Sequence, residues 1–479
     1  MIGAALLVAA RFAIGPVPAA LISAPPKPPS PTCGTLAVPQ ADRSTAPDSP
    51  SASLSADGRF LAFVSYARLL PEDGNDMSDI YVFDFQAGRL TIESLLASGA
   101  PANGDSLRPR ISADGRHLLF DAVGRLVSES PDELRPQTLL RDRQLAVTRL
   151  LIVNAAGERG NHANSGAAIS ADGRVVAFTS AATNLVPGED GNGPTQDVYV
   201  LVIATGGITR VSLDAAGRQP PQGASHSPTI SDDGRYVAFT SHADLDVDDS
   251  ARSADRTRQR RFESERAHAN VFVRDLERGL TRRISRREDG RAPNGASYAP
   301  AISGDGRVVA FVSEATDLVR GDRNGASDVY LHDVVASTTI LVSRAVRGRS
   351  ANGPSKRPVV SHDGRVVAFQ SDASDLVCAR RCAGPHVDTN LVADVFVYDR
   401  DRGDVRRVSA DVGAGWSEPS RLPIVDGAGA TVAFASRHPI DARDRGNDFD
   451  LFVHYGCAPA GVVDPATLST RSSLRRSPG

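Results

Sequence analysis

Three segments of the chain carry aspartate and asparagine in the pattern Asp-x-Asn-x-x-x-Asp, and a fourth carries a looser version. Oxygen ligands two residues apart in a loop are what a hard cation such as Ca²⁺ prefers. The residues are Asp73, Asn75 and Asp79; Asp322, Asn324 and Asp328; Asp388, Asn390 and Asp394; and, in the looser copy, Asp190, Asn192 and Asp197. The same side chains form Asx turns, which close loops without any ion. Calcium is therefore the one cofactor that the sequence suggests, with Asx turns as the alternative.

Motifs of the common catalytic and nucleic-acid-binding classes are missing from the sequence. It contains no Gly-x-Ser-x-Gly, no His-Glu-x-x-His and no phosphate-binding glycine loop. The 10 histidines fall mostly in separate loops without metal-ligand spacing. The formal net charge is -3 and no block of basic residues covers a face, which argues against a nucleic-acid partner. No catalytic residue is therefore predicted.

One phrase recurs through the chain: an apolar residue, then Ser-x-Asp-Gly-Arg, then an apolar run that ends in Phe. Its copies occupy residues 54–63, 111–120, 169–178, 230–239, 302–311 and 360–369, with a weaker seventh copy at 425–434. Successive copies are 57 to 72 residues apart. A steady period of this length indicates one structural unit per repeat.

Each unit contains four predicted β-strands. Asp-Gly forms a tight turn between the first strand and the second, which is an apolar run such as 175–178. An Asp-Val-Tyr-Val pattern supplies the third strand and a Thr-Arg-Val-Ser pattern the fourth, as at 197–201 and 209–212. Four antiparallel strands per period, repeated around a ring, form propeller blades. The predicted fold is all-β, a seven-bladed β-propeller of four-stranded antiparallel blades, with six or eight blades as alternatives.

The phrase Pro-x-Ile-Ser-x-Asp-Gly-Arg-x-Val-Ala-Phe, followed by Asp-Val-Tyr-Val, resembles the TolB-like, WD-repeat-like bacterial propeller repeat. The resemblance covers about Thr35 to Tyr455 and is specific for the fold. For TolB itself it would imply a periplasmic scaffold that binds lipoprotein and peptide partners. This chain has seven anchors where that family has six blades, and it has no room for that protein's separate N-terminal α/β domain. The TolB role is therefore not carried over.

The seventh repeat supplies three strands and ends at Tyr455 without a fourth. In the other repeats the fourth strand precedes the next Ser-x-Asp-Gly-Arg phrase by a nearly constant interval. Counting back by that interval from Leu54 reaches Thr35–Val38. This N-terminal segment is predicted to close the last blade.

Four cysteines fit this closure. Cys33 comes just before the closing segment and Cys457 just after the third strand, so a disulfide between them would lock the ring. Closing so long a loop adds about 4 kcal/mol in the chain-entropy model. Cys378 and Cys382 are predicted to form a second, local disulfide, because two thiols without a matching His or Cys pair make a weak metal site.

The two ends of the chain differ from the repeats. Residues 1–24 are interpreted as a signal peptide or N-terminal apolar segment, 25–32 as a Pro-rich linker, 33–457 as the propeller and 458–479 as a disordered tail. An even number of cysteines agrees with export. The predicted location is periplasmic or secreted, with envelope anchoring through the N-terminal segment as the alternative. No membrane span is predicted in the mature chain.

Together these patterns predict an exported, non-catalytic β-propeller that acts as an interaction scaffold. The expected partner is a protein, peptide or glycan, bound on a loop-rich face or in the central channel, and the chain itself is expected to be a monomer. The alternative is a hydrolase or lyase with its site in the central channel, because propellers can assemble such a site from several blades.

Overall fold

The computed structural model describes residues 34–37, 51–96, 99–102, 104–123, 136–245, 269–346, 348–377, 392–409, 419–437 and 450–455. These residues form 28 β-strands joined by turns and loops. In this part of the chain no helix is long and apolar enough to cross a membrane. The predicted signal segment (1–24), linker (25–32) and tail (458–479) lie outside it and stay predictions.

The strands form seven separate four-stranded antiparallel sheets, which are the blades of a β-propeller. Blades 1 to 3 contain β2 (Ala52–Leu54), β3 (Phe60–Ser65), β4 (Asp79–Asp84) and β5 (Arg89–Ile92); β6 (Ser106–Ile111), β7 (His117–Ala122), β8 (Gln137–Asp142) and β9 (Val147–Leu150); and β10 (Asn164–Ile169), β11 (Val175–Ser180), β12 (Asp197–Val202) and β13 (Gly207–Arg210). Blades 4 and 5 contain β14 (Ser225–Ile230), β15 (Tyr236–Ser241), β16 (Asn270–Asp275) and β17 (Leu280–Arg283); and β18 (Ser297–Ile302), β19 (Val308–Ser313), β20 (Asp328–Asp333) and β21 (Thr338–Leu341). Blades 6 and 7 contain β22 (Ser355–Val360), β23 (Val366–Ser371), β24 (Asp394–Asp399) and β25 (Asp404–Arg407); and β26 (Ser420–Val425), β27 (Thr431–Ser436), β28 (Asp450–Tyr455) and β1 (Gly34–Ala37). The prediction of seven four-stranded blades is confirmed.

The Ser-x-Asp-Gly-Arg phrase forms the turn between the first and second strands of a blade. In blade 1 the Ser55 hydroxyl donates to Asp57 Oδ1 (2.6 Å), and the same oxygen accepts the backbone N–H of Arg59 (3.0 Å). Gly58 has a φ of +71°, in the left-handed region that side chains rarely adopt. The Ser–Asp bond recurs in the five following copies. The repeated phrase therefore encodes a turn geometry.

The core lies between the blades. The second and third strands are buried, and in six blades they contribute a pair of stacked aromatic rings, with centroids 5.6 to 6.1 Å apart. Each apolar cluster combines two neighbouring blades, as where Ala62 and Val82 of blade 1 pack with Leu118 and Phe120 of blade 2. Because no blade can bury both faces alone, stability depends on the neighbouring blades.

Blade 7 contains an N-terminal strand. Strand β1 pairs antiparallel with β28, and Gly34 is the register partner of Tyr455. Side chains of β28 and β27 pack with those of blade 1 in one apolar cluster. The four cysteines, Cys33, Cys378, Cys382 and Cys457, lie outside the described residues, so both disulfides stay predictions.

The first strand of each blade is the innermost one. Strands β2, β6, β10, β14, β18, β22 and β26 contact one another in this order, and β26 contacts β2. They surround a central channel, and one edge of each of these strands has no neighbour within its own sheet.

Candidate functional site

The direction of the chain gives the ring two different ends. Every innermost strand runs toward the turn that follows it, which in blades 1 to 6 is the Ser-x-Asp-Gly-Arg turn, so these turns all lie at one end, called the turn face from here on. The connections between second and third strands and those between blades lie at the other end, the loop face. The predicted Asp-x-Asn-x-x-x-Asp segments precede third strands and so belong to the loop face.

Backbone hydrogen bonds join the turns of neighbouring blades at the turn face, at six of the seven junctions of the ring. The bonds run from Ala56 N to Ala113 O (3.1 Å), Ala171 N to Asp232 O (3.1 Å), Asp232 N to Gly304 O (2.8 Å), Gly304 N to His362 O (2.8 Å), Asp363 N to Gly427 O (3.3 Å) and Gly427 N to Ala56 O (2.9 Å). The turns are packed closely, since a Cβ at Gly427 would lie 2.8 Å from the Ala56 carbonyl oxygen.

Two charged side chains of these turns meet. His362 Nδ1 lies 3.0 Å from Asp232 Oδ2, two blades away around the ring. The hydrogen bond to Asp232 raises the pKa of His362 above its usual range. This pair lies at the turn-face end of the channel.

The channel contains a cavity of about 420 Å³, lined by innermost strands of six blades. Its apolar wall includes Leu54, Val359 and Ile424, and its charged side chains are Arg110, Arg357 and His362. No Asp or Glu is among the described residues that line it. The cavity is therefore partly apolar and positively charged.

A bulge in the innermost strands positions some of these side chains. The pairing register shifts in the middle of β6, β10, β14, β18, β22 and β26. The third residue of each strand has a φ of 52° to 63°, and these residues are Arg108, Gly166, Ser227, Ala299, Arg357 and Leu422. A non-glycine residue in this region costs roughly 1 kcal/mol or more, and a bulge redirects side chains. The same strained conformation in five side-chain-bearing positions indicates that the bulge belongs to the repeat.

The arginines of the channel differ in their partners. Arg108 forms an ion pair with Asp121 (3.3 Å). Arg110 donates to the Pro109 carbonyl oxygen (2.9 Å), and the surrounding protein lowers its pKa by desolvation. Burial, and then repulsion from Arg421, lower the pKa of Arg357. An arginine stays charged in spite of such shifts, so Arg110 and Arg357 bring positive charge to the cavity.

Blades 4 and 5 give the loop face a different character. The rings of His226 and His242 lie 6.0 Å apart, and the Tyr298 hydroxyl donates to Glu314 (3.3 Å). Burial, followed by repulsion from His242, lowers the pKa of His226 below its usual range. These side chains stand on a part of the ring that carries no channel arginine.

In blade 3 the predicted calcium ligands already have partners, because Gln219 donates hydrogen bonds to them and Arg210 forms ion pairs with the two aspartates. Gln219 Nε2 donates to Asp190 Oδ1 (2.6 Å), Asn192 Oδ1 (2.7 Å) and Asp197 Oδ2 (3.0 Å). Arg210 forms ion pairs with Asp190 (3.2 Å) and Asp197 (3.4 Å). The three oxygens converge as a cation site requires, but a nitrogen donor and a guanidinium already fill the position.

Blade 6 also contains an arginine at this position. Asp394 accepts the Ser409 hydroxyl (2.5 Å) and Arg407 Nη1 (3.1 Å). Its two predicted companions, Asp388 and Asn390, lie outside the described residues.

Blades 1 and 5 have the carboxylates without the arginine. Ile92 and Leu341 occupy the register position of Arg210, opposite a tyrosine in each blade. In blade 5 the Tyr330 hydroxyl donates to Asp322 (2.5 Å), and the Asn324 amide donates to Asp328 (2.8 Å). In blade 1 the Tyr81 hydroxyl donates to Asp73 (2.6 Å), and the Asn75 amide donates to Asp79 (3.3 Å). In both blades these hydrogen bonds to the two carboxylates come from a tyrosine hydroxyl and an asparagine amide, which carry no charge.

Burial raises the pKa of the third-strand aspartate in these blades, as it also does for Asp197 of blade 3 in spite of Arg210. Burial raises the pKa of Asp328 to about 7 and that of Asp79 to about 6, and the second aspartate of each pair adds repulsion. Asp322 Oδ1 is buried without a hydrogen-bond partner in the described structure. Across the described ranges, no group of three or more His, Cys, Asp or Glu side chains could hold a metal ion. Any cation in blades 1 and 5 would need Asn or backbone oxygens as further ligands.

A second cavity, of about 630 Å³, lies between the connection after β17 and strands β20 and β21. Its Arg287 is paired with Asp289 (3.3 Å) and Asp317 (3.2 Å). Charges in this groove are thus compensated locally, unlike those of the central cavity.

The sequence analysis did not identify Arg110, Arg357 or Arg210. The signal for the first two was available, because they lie two and four residues before the Ser of the repeated phrase, where the copies differ most. Arg210 lies in a fourth strand whose pattern was attributed to the sheet alone.

Comparison with known proteins supports the fold and nothing more specific. No family model and no curated protein matches the sequence. Similar solved structures include a prolyl endopeptidase, at 11% identity and a TM-score of 0.50 over 88% of this chain and 52% of that one. An oligogalacturonate lyase in complex with manganese has 13% identity and a TM-score of 0.49, over 85% of this chain and 88% of that one. TolB from Acinetobacter baumannii has 13% identity and a TM-score of 0.39 over 75% of this chain, which spans 65% of the TolB chain, less than two thirds of its length.

Proposed function

We propose that the chain is an exported, non-catalytic β-propeller that binds a protein, peptide or glycan partner at its loop face, with part of the partner in the central channel. The observation that carries this proposal is a central cavity whose wall contains Arg110 and Arg357 but no described acidic residue. Its volume of about 420 Å³ falls in the range of ordinary ligand sites. The repeated phrases serve the fold, so the variable channel wall can serve recognition.

The lining of the channel favours binding over catalysis. General acid–base catalysis needs a titratable group within hydrogen-bond reach of a nucleophile or substrate proton. His362 is hydrogen-bonded to Asp232 (3.0 Å) at the turn-face end of the channel. The described lining supplies no carboxylate to act as acid, base or nucleophile. A hydrolase or lyase is therefore the weaker of the two proposals.

Export is part of this proposal and is supported by the sequence. An apolar segment at residues 1–24 precedes a Pro-rich linker at 25–32 and a propeller at 33–457. The proposed Cys33–Cys457 disulfide is supported by the strand pairing. Gly34, which directly follows Cys33, is the register partner of Tyr455, two residues before Cys457. The proposed location is the periplasm or the medium, or the envelope if the apolar segment is retained.

Channel occlusion tests the proposed function. The full chain is immobilised, and partners are captured from envelope and culture-medium fractions and identified by mass spectrometry. Ala301→Trp, in the channel wall, is expected to abolish capture by filling the cavity. The matched control Val335→Trp, on an exposed turn, is expected to leave capture unchanged. Equal capture by wild type and Ala301→Trp, at equal melting temperature, would overturn the role of the channel.

We propose that calcium binds in blades 1 and 5 and does not bind in blade 3. The support is charge balance: Arg210 compensates Asp190 and Asp197, whereas the aspartate pairs of blades 1 and 5 have neutral partners. Added calcium is expected to raise the melting temperature of the chelator-treated protein. Leu341→Arg, which copies blade 3 into blade 5, is expected to remove part of that rise. If added calcium leaves the melting temperature of the wild type unchanged, calcium is excluded as a ligand.

A further inference from the structure

We propose that His226 and His242 form a binding site for a divalent transition-metal ion, with Zn²⁺ as the expected ion, at the loop-face end of blade 4. His226 is the second residue of β14, and His242 directly follows the last residue of β15. The pairing of these two strands brings the imidazole rings within 6.0 Å of each other, centroid to centroid. The site goes beyond the proposed function and does not depend on it.

The repeat holds these two positions in contact in neighbouring blades. In blade 5 they are Tyr298 and Glu314, and the hydroxyl donates to the carboxylate (3.3 Å). In blade 6 they are Lys356 and Asp372, and the ammonium lies 4.0 Å from the carboxylate. Blade 4 has two imidazoles instead, and the described structure contains no hydrogen bond between them. The contact itself therefore belongs to the fold, whereas the two histidines are particular to blade 4.

The separation of the rings suits two ligands of one metal ion. Imidazole is a ligand that Zn²⁺, Cu²⁺ and Ni²⁺ all accept. With a Zn–N bond of about 2.0–2.1 Å, each ring centroid lies about 3.2 Å from the metal, so two bound rings are at most about 6.4 Å apart and about 5.2 Å apart at the tetrahedral angle. The observed 6.0 Å lies below this maximum. Because His242 is exposed, its ring can turn toward the tetrahedral separation.

The neighbouring serine orients the ring of His226. Ser227 Oγ lies 3.0 Å from His226 Nδ1. When Nδ1 carries the proton and donates to this hydroxyl, Nε2 presents its lone pair to a metal. Histidines that bind metals usually use their second ring nitrogen in this way, which fixes the tautomer. Ser227 is therefore a positioning residue, placed by the bulge at which its φ is +55°.

Two protein ligands leave part of the coordination sphere open. The described residues contain no group of three or more His, Cys, Asp or Glu side chains that could hold a metal ion. Tetrahedral zinc takes four ligands, so the two other positions go to water or to an oxygen or nitrogen atom of a bound partner. The channel arginines Arg110 and Arg357 lie in blades 2 and 6, so the wall of blade 4 brings no guanidinium against the cation.

Zinc titration of the full, untagged chain tests the site. The protein is treated with iodoacetamide, which blocks free thiols, and excess Ca²⁺ occupies carboxylate sites. Isothermal titration calorimetry is expected to show one Zn²⁺ bound per chain. His242→Gln is expected to weaken binding at least about tenfold, because the loss of even an outer-shell partner of a metal costs about 10–100-fold in affinity.

Two variants separate the pair from other histidines. His226→Lys/His242→Asp copies the residue pair of blade 6 into blade 4, keeps a contact at these positions and is expected to abolish binding. The control His162→Gln removes an exposed histidine of blade 3 and is expected to leave the affinity unchanged.

Spectroscopy identifies the ligands. With Cu²⁺ as the probe, the electron paramagnetic resonance spectrum of the wild type is expected to show coupling to two imidazole nitrogens, and this coupling is lost in His226→Lys/His242→Asp. No Zn²⁺ binding by the wild type, or wild-type affinity in the folded double variant, would overturn the site. Partner capture by the wild type and Ala301→Trp is measured without added metal, so the proposed function stands or falls separately.

Discussion

The turn face and the loop face of the ring are built from the same repeat, yet they treat charge in opposite ways. On the turn face the arginine of the phrase is paired with the last aspartate of the third strand in four of its six copies: Arg59–Asp84 (2.7 Å), Arg116–Asp142 (2.7 Å), Arg235–Asp275 (2.8 Å) and Arg365–Asp399 (2.8 Å). In the channel wall, Arg110 of blade 2 and Arg357 of blade 6 form no ion pair within the described structure, although Asp121 attracts Arg110. Residues that recur in most blades stabilise the ring, whereas residues that occur in one blade only are candidates for binding a partner.

The loop face is not free of structural charge, and blade 3 provides the largest expected effect. Arg210→Leu copies the blade 5 residue into blade 3 and leaves Asp190 and Asp197 buried without a cation. Removing one partner of a buried ion pair costs about 3–5 kcal/mol. Urea denaturation is expected to show that loss of unfolding free energy, while Arg174→Gln changes it by less than about 0.5 kcal/mol. A small loss for Arg210→Leu would mean that the buried carboxylates need no cation.

The ring of turns gives the next largest effect. Gly304→Ala places a Cβ against the Asp232 carboxylate and within 2.9 Å of the His362 carbonyl oxygen. Overpacking of this kind costs about 1–3 kcal/mol. The matched control is Gly74→Ala, because a Cβ there meets nothing within 4 Å. Equal denaturation midpoints for both variants would contradict the close packing of the turn face.

The aspartate pairs of blades 1 and 5 predict a dependence of stability on pH. In the folded chain the pKa of Asp328 is about 7 and that of Asp79 about 6, whereas the pKa of an aspartate in the unfolded chain is about 3.9. Between these values the folded state binds more protons than the unfolded state, so stability falls as pH rises from about 4 to 7. With chelator present, the melting temperature of the wild type is expected to decline over that range from this contribution. Leu341→Arg should flatten the decline, and an identical slope in both proteins would exclude Asp328 as its source.

The smallest effect on stability is expected in the channel. Arg357→Gln removes a charge that faces Arg421 and breaks no ion pair in the described structure. Its unfolding free energy is expected to lie within about 0.5 kcal/mol of the wild type. A loss comparable with that of Gly304→Ala would show that Arg357 serves the fold, and the contrast between the two faces would fail there.

Much of the fold could be predicted because the repeat displays it. The Ser-x-Asp-Gly-Arg phrase fixes a turn through contacts within five residues, as between Ser55, Asp57 and Phe60, and such contacts are legible in a local pattern. The number of copies then gave the number of blades. Counting the interval before Leu54 reached Thr35–Val38, which overlaps strand β1 (Gly34–Ala37).

The candidate site was harder to predict because it depends on contacts between distant segments. Whether Arg357 reaches the channel depends on a bulge with a φ of +56° at that residue. A sequence pattern does not predict this conformation at a residue other than glycine. Whether an Asp-x-Asn-x-x-x-Asp loop needs a cation depends on a residue in the next strand, Arg210 in blade 3 and Leu341 in blade 5. The loop of blade 3 has one more residue before its last aspartate than the loop of blade 5, and neither spacing reveals which residue lies in the fourth strand.

Hydrogen–deuterium exchange of the full chain, with and without the partner captured by the wild type, tests the contrast between the two faces most directly. The account predicts slower exchange in peptides that cover the innermost strands at residues 106–111, 355–360 and 420–425, and no change in the outermost strands or in the turn-face pairs such as Arg235–Asp275. Protection confined to the turn face or to the outermost strands would contradict it.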